Sequence, residues 1–215
     1  MVAALPAGRL ADRHGYHRPL YLGVLFTTLG AACALLACWL PPGWRLALQC
    51  VGAGASGVGA NIGLIAVLRT AGRRAGSGTE RLRVFSWIGM APSAANVVGP
   101  VLAGFMIDGA GYAAAYAALG LLPVLSLLVG GRVPAEAMPA HPPAVTRGQA
   151  WTLLHTPGFK RLLFVNWLLS ASWDVHSFAV PVLGHARGYN ASTIGLVLGT
   201  FTAAVTLVRF AVPLL

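Results

Sequence analysis

Four polar side chains recur along one apolar run of the sequence, at spacings that bring them onto one face of a helix. They are Asn166, Ser170, Asp174 and Ser177, separated by four, four and three residues. Asp174 stands near the middle of this run. If the run crosses a bilayer, a charge at that depth costs on the order of 3 kcal/mol. We therefore expect its carboxylate to face a wet cavity and to carry a proton. The alternative is a structural acid that is hydrogen-bonded to a neighbouring helix.

Other polar residues of the apolar runs are candidates for the same cavity. Asn96 stands one helical turn from Ser93, and Gln49 belongs to a separate run. Gln49 shares a helical face with four small residues, which are Gly52, Ser56, Gly59 and Gly63. Because small residues on one face are typical of close helix packing, we expect a packing seam there more than a solute path.

Several further side chains have the right chemistry for a site but are expected to play structural roles. His176 lies on a different helical face from Asp174, and we predict that it packs with a hydrogen bond. Asp108 is predicted to cap the tight turn into the following run. The indoles of Trp167 and Trp173 are expected to contact lipid or core more than solute.

The composition and the absence of several motifs exclude whole classes of function. Of the 215 residues, 57% are hydrophobic and only 9% are charged, whereas a soluble domain carries about 25% charged residues. The chain contains no nucleophile–base–acid set, no cluster of metal ligands and no G-x-x-x-x-G-K-[ST] motif. The sequence therefore predicts no enzyme, no catalytic residue, no metal, no cofactor, no nucleotide and no nucleic-acid partner.

The elements that must position these residues are six apolar runs, each close to the roughly 20 residues that a helix needs to cross a bilayer. The runs are Leu20–Leu40, Leu46–Leu68, Val84–Ile107, Ala110–Gly131, Leu162–Gly184 and Ala191–Val208. Helices are favoured over strands because backbone groups in lipid must find partners within their own segment. The sequence predicts an all-α integral membrane protein with six spans.

Basic residues alternate from one side of these runs to the other. Thirteen of the 15 Arg and Lys residues fall on one side, and only Arg45 and Arg187 fall on the other. Since basic residues collect on cytoplasmic loops, this places the N-terminus, the loop 69–83 and the segment 132–161 in the cytoplasm. The net charge of +10 is thus explained by topology, with attraction to anionic lipids as a secondary effect.

The segment before the first span resembles the cytoplasmic loop signature G-x-L-x-D-R-x-G-R-K of the major facilitator superfamily, which joins the second and third helices in that family. The matching residues are Gly8, Leu10, Asp12, Arg13 and Gly15, with Arg18 after them. Tyr16 and His17 depart from the usual Arg and Lys. We expect Gly15 to permit a tight turn.

Two more stretches resemble patterns of the same family. Gly99-Pro100 and Gly104 are similar to G-P-x-x-G-G in the fifth helix of antiporters, with Ala103 in place of a glycine. We expect Pro100 to kink its helix and both glycines to admit a neighbouring helix. Around Gln49 the sequence loosely resembles R-x-x-Q-G-x-G, but Arg45 stands one place early. The family associates the arginine of this pattern with proton coupling, and the shifted position means that the resemblance does not assign this role to Arg45.

The resemblance implies a helical bundle with about six of an expected twelve transmembrane helices, equivalent to helices three to eight. Residues 1–131 would be part of an N-terminal half, 132–158 a cytoplasmic central linker, and 159–215 part of a C-terminal half. We therefore expect a chain cut at both ends and inactive alone. The parent protein would be a monomer in the cytoplasmic (inner) membrane.

The implied function is secondary active transport of a small solute by alternating access. The antiporter-type motif favours proton-coupled export of drugs or metabolites. Proton-linked uptake of a sugar or organic acid is an alternative, and so is a non-transporting membrane accessory protein. The partners would be a small solute, protons and the lipid bilayer.

Overall fold

A computed structural model describes residues 15–76, 78–133 and 155–211. These residues form five helices and no strand. In chain order the helices are α1 (His17–Ala37), α2 (Pro42–Arg74), α3 (Gly78–Gly130), α4 (Phe159–Ala186) and α5 (Ala191–Ala211). The all-α fold predicted from the composition is confirmed.

The long helix α3 contains two of the predicted spans. Its backbone leaves the helical region at Gly111, where φ is 82° and ψ is 171°. We call residues 78–110 the first arm of α3 and residues 112–130 its second arm. Side chains would strain this backbone, so glycine makes the change of direction possible. Helical geometry continues through Pro92, Pro100 and Pro123.

Four of the described helices are long and apolar enough to span a membrane, and they are α1, α2, α3 and α5. With 28 residues, α4 has the required length but does not reach the same apolarity. Its run carries Asn166, Asp174 and His176, whose polar side chains lower the mean hydropathy. The fifth predicted span is thus a long helix with a polar face.

The helices α1 and α2 pack along a seam of glycines. A Cβ atom on Gly52 would come within 2.8 Å of the Gly30 carbonyl oxygen, and one on Gly23 within 3.0 Å of the Gly59 carbonyl oxygen. Only residues without a side chain allow backbones to approach so closely. The packing seam predicted along Gly52, Ser56 and Gly59 is confirmed.

The helix ends gather into two opposite groups. One group consists of the turns after α1, around Gly111 and after α4, and we call it the Asp108 end. Residues at these turns line two cavities that have a lining residue in common, which shows that the turns lie close together. At the other, arginine-rich end, Gly130 of α3 contacts Leu20 of α1, and Gly72 of α2 lies against the Phe85 ring. Consecutive segments therefore run in alternate directions.

A small buried cluster lies at the arginine-rich end and consists of Tyr16, Leu20 and Ala66. Burial raises the pKa of the Tyr16 phenol. Elsewhere most large apolar side chains are exposed, as Phe178 and Trp44 are at 72% each. Such a surface suits contact with lipid rather than water.

Candidate solute cavity

A cavity of about 450 Å³ lies between the first arm of α3, α4 and α5. This is within the range of roughly 300–1,000 Å³ that small-molecule sites occupy. Polar side chains dominate its wall. They are Ser93, Asn96, Asn166, Ser170, Asp174, Thr202 and Thr206, with Leu169, Trp173 and Val205 as the other lining residues.

Helix α4 supplies half of this wall. Asn166, Ser170 and Asp174 follow one another at four-residue intervals, so they lie on one face of the helix. Asp174 is exposed to the cavity, and no hydrogen bond or ion pair joins its carboxylate to another of the described residues. The structure thus brings three of the sequence candidates on α4 to one cavity, with a free carboxylate facing its interior.

The first arm of α3 contributes the opposite wall. Asn96 and Ser93 are one turn apart and both line the cavity. Asn96 was a sequence candidate on a different helix from Asp174, and the fold places the two residues in the same site. The amide of Asn96 and the amide of Asn166 each offer two donors and one acceptor oxygen.

Helix α5 supplies two threonines that the sequence analysis did not single out. The hydroxyl of Thr202 donates to the Leu198 carbonyl oxygen at 2.9 Å, and that of Thr206 donates to the Thr202 carbonyl oxygen at 2.8 Å. Because each hydroxyl hydrogen is bound within the helix, its oxygen is left to accept from a solute. The four-residue spacing of these two hydroxyls was the signal that could have found them.

Aromatic rings flank the cavity. Trp173 lines it and lies 5.7 Å from the ring of Phe201, centroid to centroid. The ring of His176 lies 4.0 Å from the same phenyl ring. Its Nε2 atom is buried and has no hydrogen-bond partner among the described residues, so the predicted hydrogen-bonded packing is instead ring-to-ring packing. Trp167, on the exposed side of α4, stacks on Phe164.

Two sequence candidates lie outside this cavity. Ser177 is exposed on α4 and is not among the lining residues. Gln49 lies in a separate cavity of about 290 Å³ at the Asp108 end, where its Nε2 is 3.5 Å from the Tyr116 hydroxyl oxygen. In that cavity the Arg45 guanidinium donates to the Leu40 carbonyl oxygen at 3.3 Å and so satisfies an acceptor just past the end of α1.

The antiporter-type motif packs against α5. A Cβ atom on Gly104 would lie 2.9 Å from the Ser192 Cα, and one on Gly195 would lie 3.0 Å from the Pro100 carbonyl carbon. The expected close approach is therefore present at Gly104. It is absent at Gly99, where no described atom lies within 4 Å of an added Cβ.

The loop signature is mostly outside the described residues, since Gly8, Leu10, Asp12 and Arg13 precede residue 15. Gly15 adopts a φ of 69° in the turn before α1, as the expected tight turn requires. Arg18 is exposed in the first turn of α1.

Asp108 does not cap the turn into the second arm of α3, and that prediction is wrong. Its carboxylate instead accepts hydrogen bonds from the backbone N–H groups of Ala191 at 3.0 Å and Ser192 at 2.7 Å, and from the Ser192 hydroxyl. It thereby caps the N-terminus of α5, more than eighty residues away in sequence. A cap formed by a distant residue leaves no local signal, and the sequence analysis missed it for that reason.

Four apolar helices of membrane length, with a polar cavity among the helices, are typical of an integral membrane protein. The chain belongs to the major facilitator superfamily, because the family model described as Major Facilitator Superfamily matches residues 1–215. It is therefore a multi-pass membrane protein of a family of transporters, not enzymes, that act on small solutes. No curated protein and no solved structure matches the chain.

Proposed function

We propose that the parent protein of this chain carries out proton-coupled export of a small solute by alternating access, that the chain alone does not transport, and that the cavity around Asp174 belongs to the solute site. The observation that carries the proposal is the meeting of polar groups from α3, α4 and α5 in one cavity of about 450 Å³. Family membership supplies the transport class, and the cavity supplies a place for the solute.

The cavity wall favours a cationic or neutral polar solute. Among the described lining residues, Asp174 is the one that ionises, and the others are hydroxyls, amides, an indole and aliphatic groups. A cation would pair with the carboxylate and lie near the Trp173 ring, which attracts positive charge through its face. An anion would meet the negative charge of Asp174 with no described base in the wall to offset it.

Proton coupling follows from the same carboxylate. An acid that binds a cation when ionised and a proton when neutral makes the two occupants compete. Release of the cation would be favoured when a proton arrives from the other side of the membrane. Because Arg45 satisfies a carbonyl group at the end of α1, we assign the coupling to Asp174 rather than to this arginine.

Export is favoured over uptake by the antiporter-type motif, whose Gly104 packs α3 against α5. The distribution of 13 basic residues against 2 supports a cytoplasmic position for the arginine-rich end and for the linker 132–158 between two halves. We propose a monomer in the cytoplasmic membrane with this orientation. Proton-linked uptake of a sugar or organic acid is the second candidate, since Asn and Ser side chains in the wall are also suited to hydroxylated solutes.

The test is solute flux in everted membrane vesicles that contain the parent protein, under an imposed pH gradient, with panels of organic cations, sugars and organic acids. We expect an organic cation to accumulate in the vesicles when their interior is acidic, which corresponds to export from the cell. The variant Asp174→Asn should lose the dependence on the pH gradient. The control Ser177→Ala, on the same helix but outside the cavity, should behave as the wild type.

Three results would count against the proposal. Flux of a sugar or organic acid in the opposite direction would favour the uptake symporter. Unchanged pH dependence in Asp174→Asn would remove the coupling role of this residue. No flux of any panel solute, together with no solute-dependent change in thermal stability, would favour a non-transporting membrane protein.

A further inference from the structure

At the Asp108 end, one carboxylate connects α3 to α5. Asp108 lies at the last turn of the first arm of α3, and all of its described hydrogen-bond partners belong to the first two residues of α5. The N-terminus of a helix carries unpaired N–H groups and partial positive charge, so an ionised carboxylate is well matched to it. Ser192 is buried at this contact.

Close backbone packing continues from this contact toward the middle of the helices. Gly104 contacts the start of α5, and Gly195 contacts Pro100. A Cβ atom added to Gly199 would lie 2.9 Å from the Val97 carbonyl oxygen. We call these contacts the α3–α5 seam. At these three glycines the backbones of α3 and α5 are in direct contact, and a second cavity of about 290 Å³ lies beside the seam, toward α4.

The solute cavity begins where the seam ends. Asn96 and Ser93 on α3, and Thr202 and Thr206 on α5, lie beyond the seam toward the arginine-rich end. The two helices are therefore closed against each other at the Asp108 end and separated by the cavity at the arginine-rich end. A solute that moves from the cavity toward the Asp108 end between α3 and α5 must part this seam.

We propose that Asp108 is a positioning residue that holds the α3–α5 seam shut, and that the cap on α5 breaks whenever the cavity opens toward the Asp108 end. This inference rests on the proposed alternating-access transport. The carboxylate acts through the position of α5 and touches no solute. When α5 moves away, the N–H groups of Ala191 and Ser192 lose this acceptor, so the cap adds to the cost of opening the seam.

The experiment measures the distance between α3 and α5 at both ends with pairs of spin labels, in the parent protein in lipid nanodiscs. Labels at Phe105 and Thr193 report the Asp108 end, and labels at Ser86 and Leu207 report the arginine-rich end. All four positions are exposed. The three native cysteines are replaced beforehand so that only the introduced thiols are labelled.

Asp108→Ala should raise the population with separated labels at the Asp108 end by about fivefold, the factor that corresponds to a typical lost helix cap. The distance at the arginine-rich end should shorten in the same proportion of molecules. Ser192→Ala removes the hydroxyl donor alone and should give a smaller change in the same direction. It keeps the inference testable if Asp108→Ala fails to fold.

A merely stabilising cap would give a different result. In that case Asp108→Ala would lower the melting temperature and leave both distance distributions unchanged, which would overturn the inference. Gly30→Ala disturbs the separate α1–α2 seam, so it should lower the melting temperature without moving either pair of labels. This control separates lost stability from a shifted conformation.

Failure of the proposed function would be distinguishable. Shifted distances without any solute flux in vesicles would refute transport and leave the Asp108 cap as a conformational device. Solute flux in the wild type together with unchanged distances in both variants would refute the role of Asp108 and leave the transport proposal standing.

Discussion

Asp174 is an exposed carboxylate in a cavity whose other described lining groups are neutral. Its charge state therefore decides whether the site attracts a cation. This is the physical basis for assigning both solute binding and proton coupling to one residue. The hydroxyls and amides around it would set which solute fits, because they fix the directions from which hydrogen bonds can be offered.

The two threonines of α5 allow a test at the scale of single hydroxyls. In the double variant Thr202→Val and Thr206→Val, the cavity keeps its shape but loses two acceptor oxygens. A hydrogen bond contributes about 0.5–1.5 kcal/mol, so we expect solute affinity to fall by about fivefold to a hundredfold. Titration of the purified protein with the transported solute measures the change.

Thr193→Val is the control for this double variant, since Thr193 lies in the first turn of α5 and outside the cavity. Equal affinity in all three proteins would show that the α5 hydroxyls do not contact the solute, and would move the solute site away from this wall.

Residue periodicity predicted part of the cavity and missed the rest. Asn166, Ser170 and Asp174 were found because spacing within one helix fixes a common face. The same reasoning predicted which helical face carries Gln49, but not which helix packs against that face. In the structure Gln49 lies next to Tyr116. Thr202 and Thr206 were missed because threonine in an apolar helix commonly bonds only to its own backbone.

At the scale of elements, the α3–α5 seam depends on the absence of side chains. Gly104→Ala would push a methyl group against the backbone of Ala191 and Ser192. We expect this overpacking to lower the free energy of unfolding by about 1–3 kcal/mol. Thermal unfolding in detergent measures the loss as a lower melting temperature.

Gly99→Ala provides a matched control within the same motif. An added methyl group there meets no described atom within 4 Å, and alanine favours a helix over glycine by about 0.5–1 kcal/mol. We expect an unchanged or slightly raised melting temperature. Equal losses in the two variants would show that close packing against α5 does not explain the motif.

The break between the arms of α3 gives a second prediction for an element. Gly111 combines a φ of 82° with a ψ of 171°, a region that is essentially restricted to glycine. Gly111→Ala should therefore destabilise the protein by about 1–3 kcal/mol. Gly109, two residues earlier, has open space around it and no positive φ. We therefore expect Gly109→Ala to leave the free energy of unfolding unchanged.

The elements themselves were largely predictable. Long apolar runs predicted the helices. The predicted boundary after Ile107 lies four residues before the observed break at Gly111, within the glycine-rich sequence from Asp108 to Gly111. The contact between Asp108 and α5 was not predictable, because the sequence gives the ends of helices but not which ends meet. The polar face of α4 also lowered its hydropathy below that of the other spans.

Across the described residues, α3 and α5 are closed against each other at one end and separated by the solute cavity toward the other. The closed end contains Asp108 and the α3–α5 seam, whereas the arginine-rich end carries most of the basic residues. Alternating access requires this arrangement to reverse during transport. One carboxylate would control the solute and proton, and another would control the closed end.

In the proposed mechanism a solute and a proton compete for the Asp174 carboxylate. Competition can be measured as proton release into a weakly buffered solution, at a series of starting pH values, when the purified protein binds the cation identified in the vesicle assay. We expect proton release in the wild type and in Ser177→Ala, and none in Asp174→Asn. Release from Asp174→Asn equal to that of the wild type would contradict the proposed mechanism, and so would cation binding by the wild type with no release at any pH.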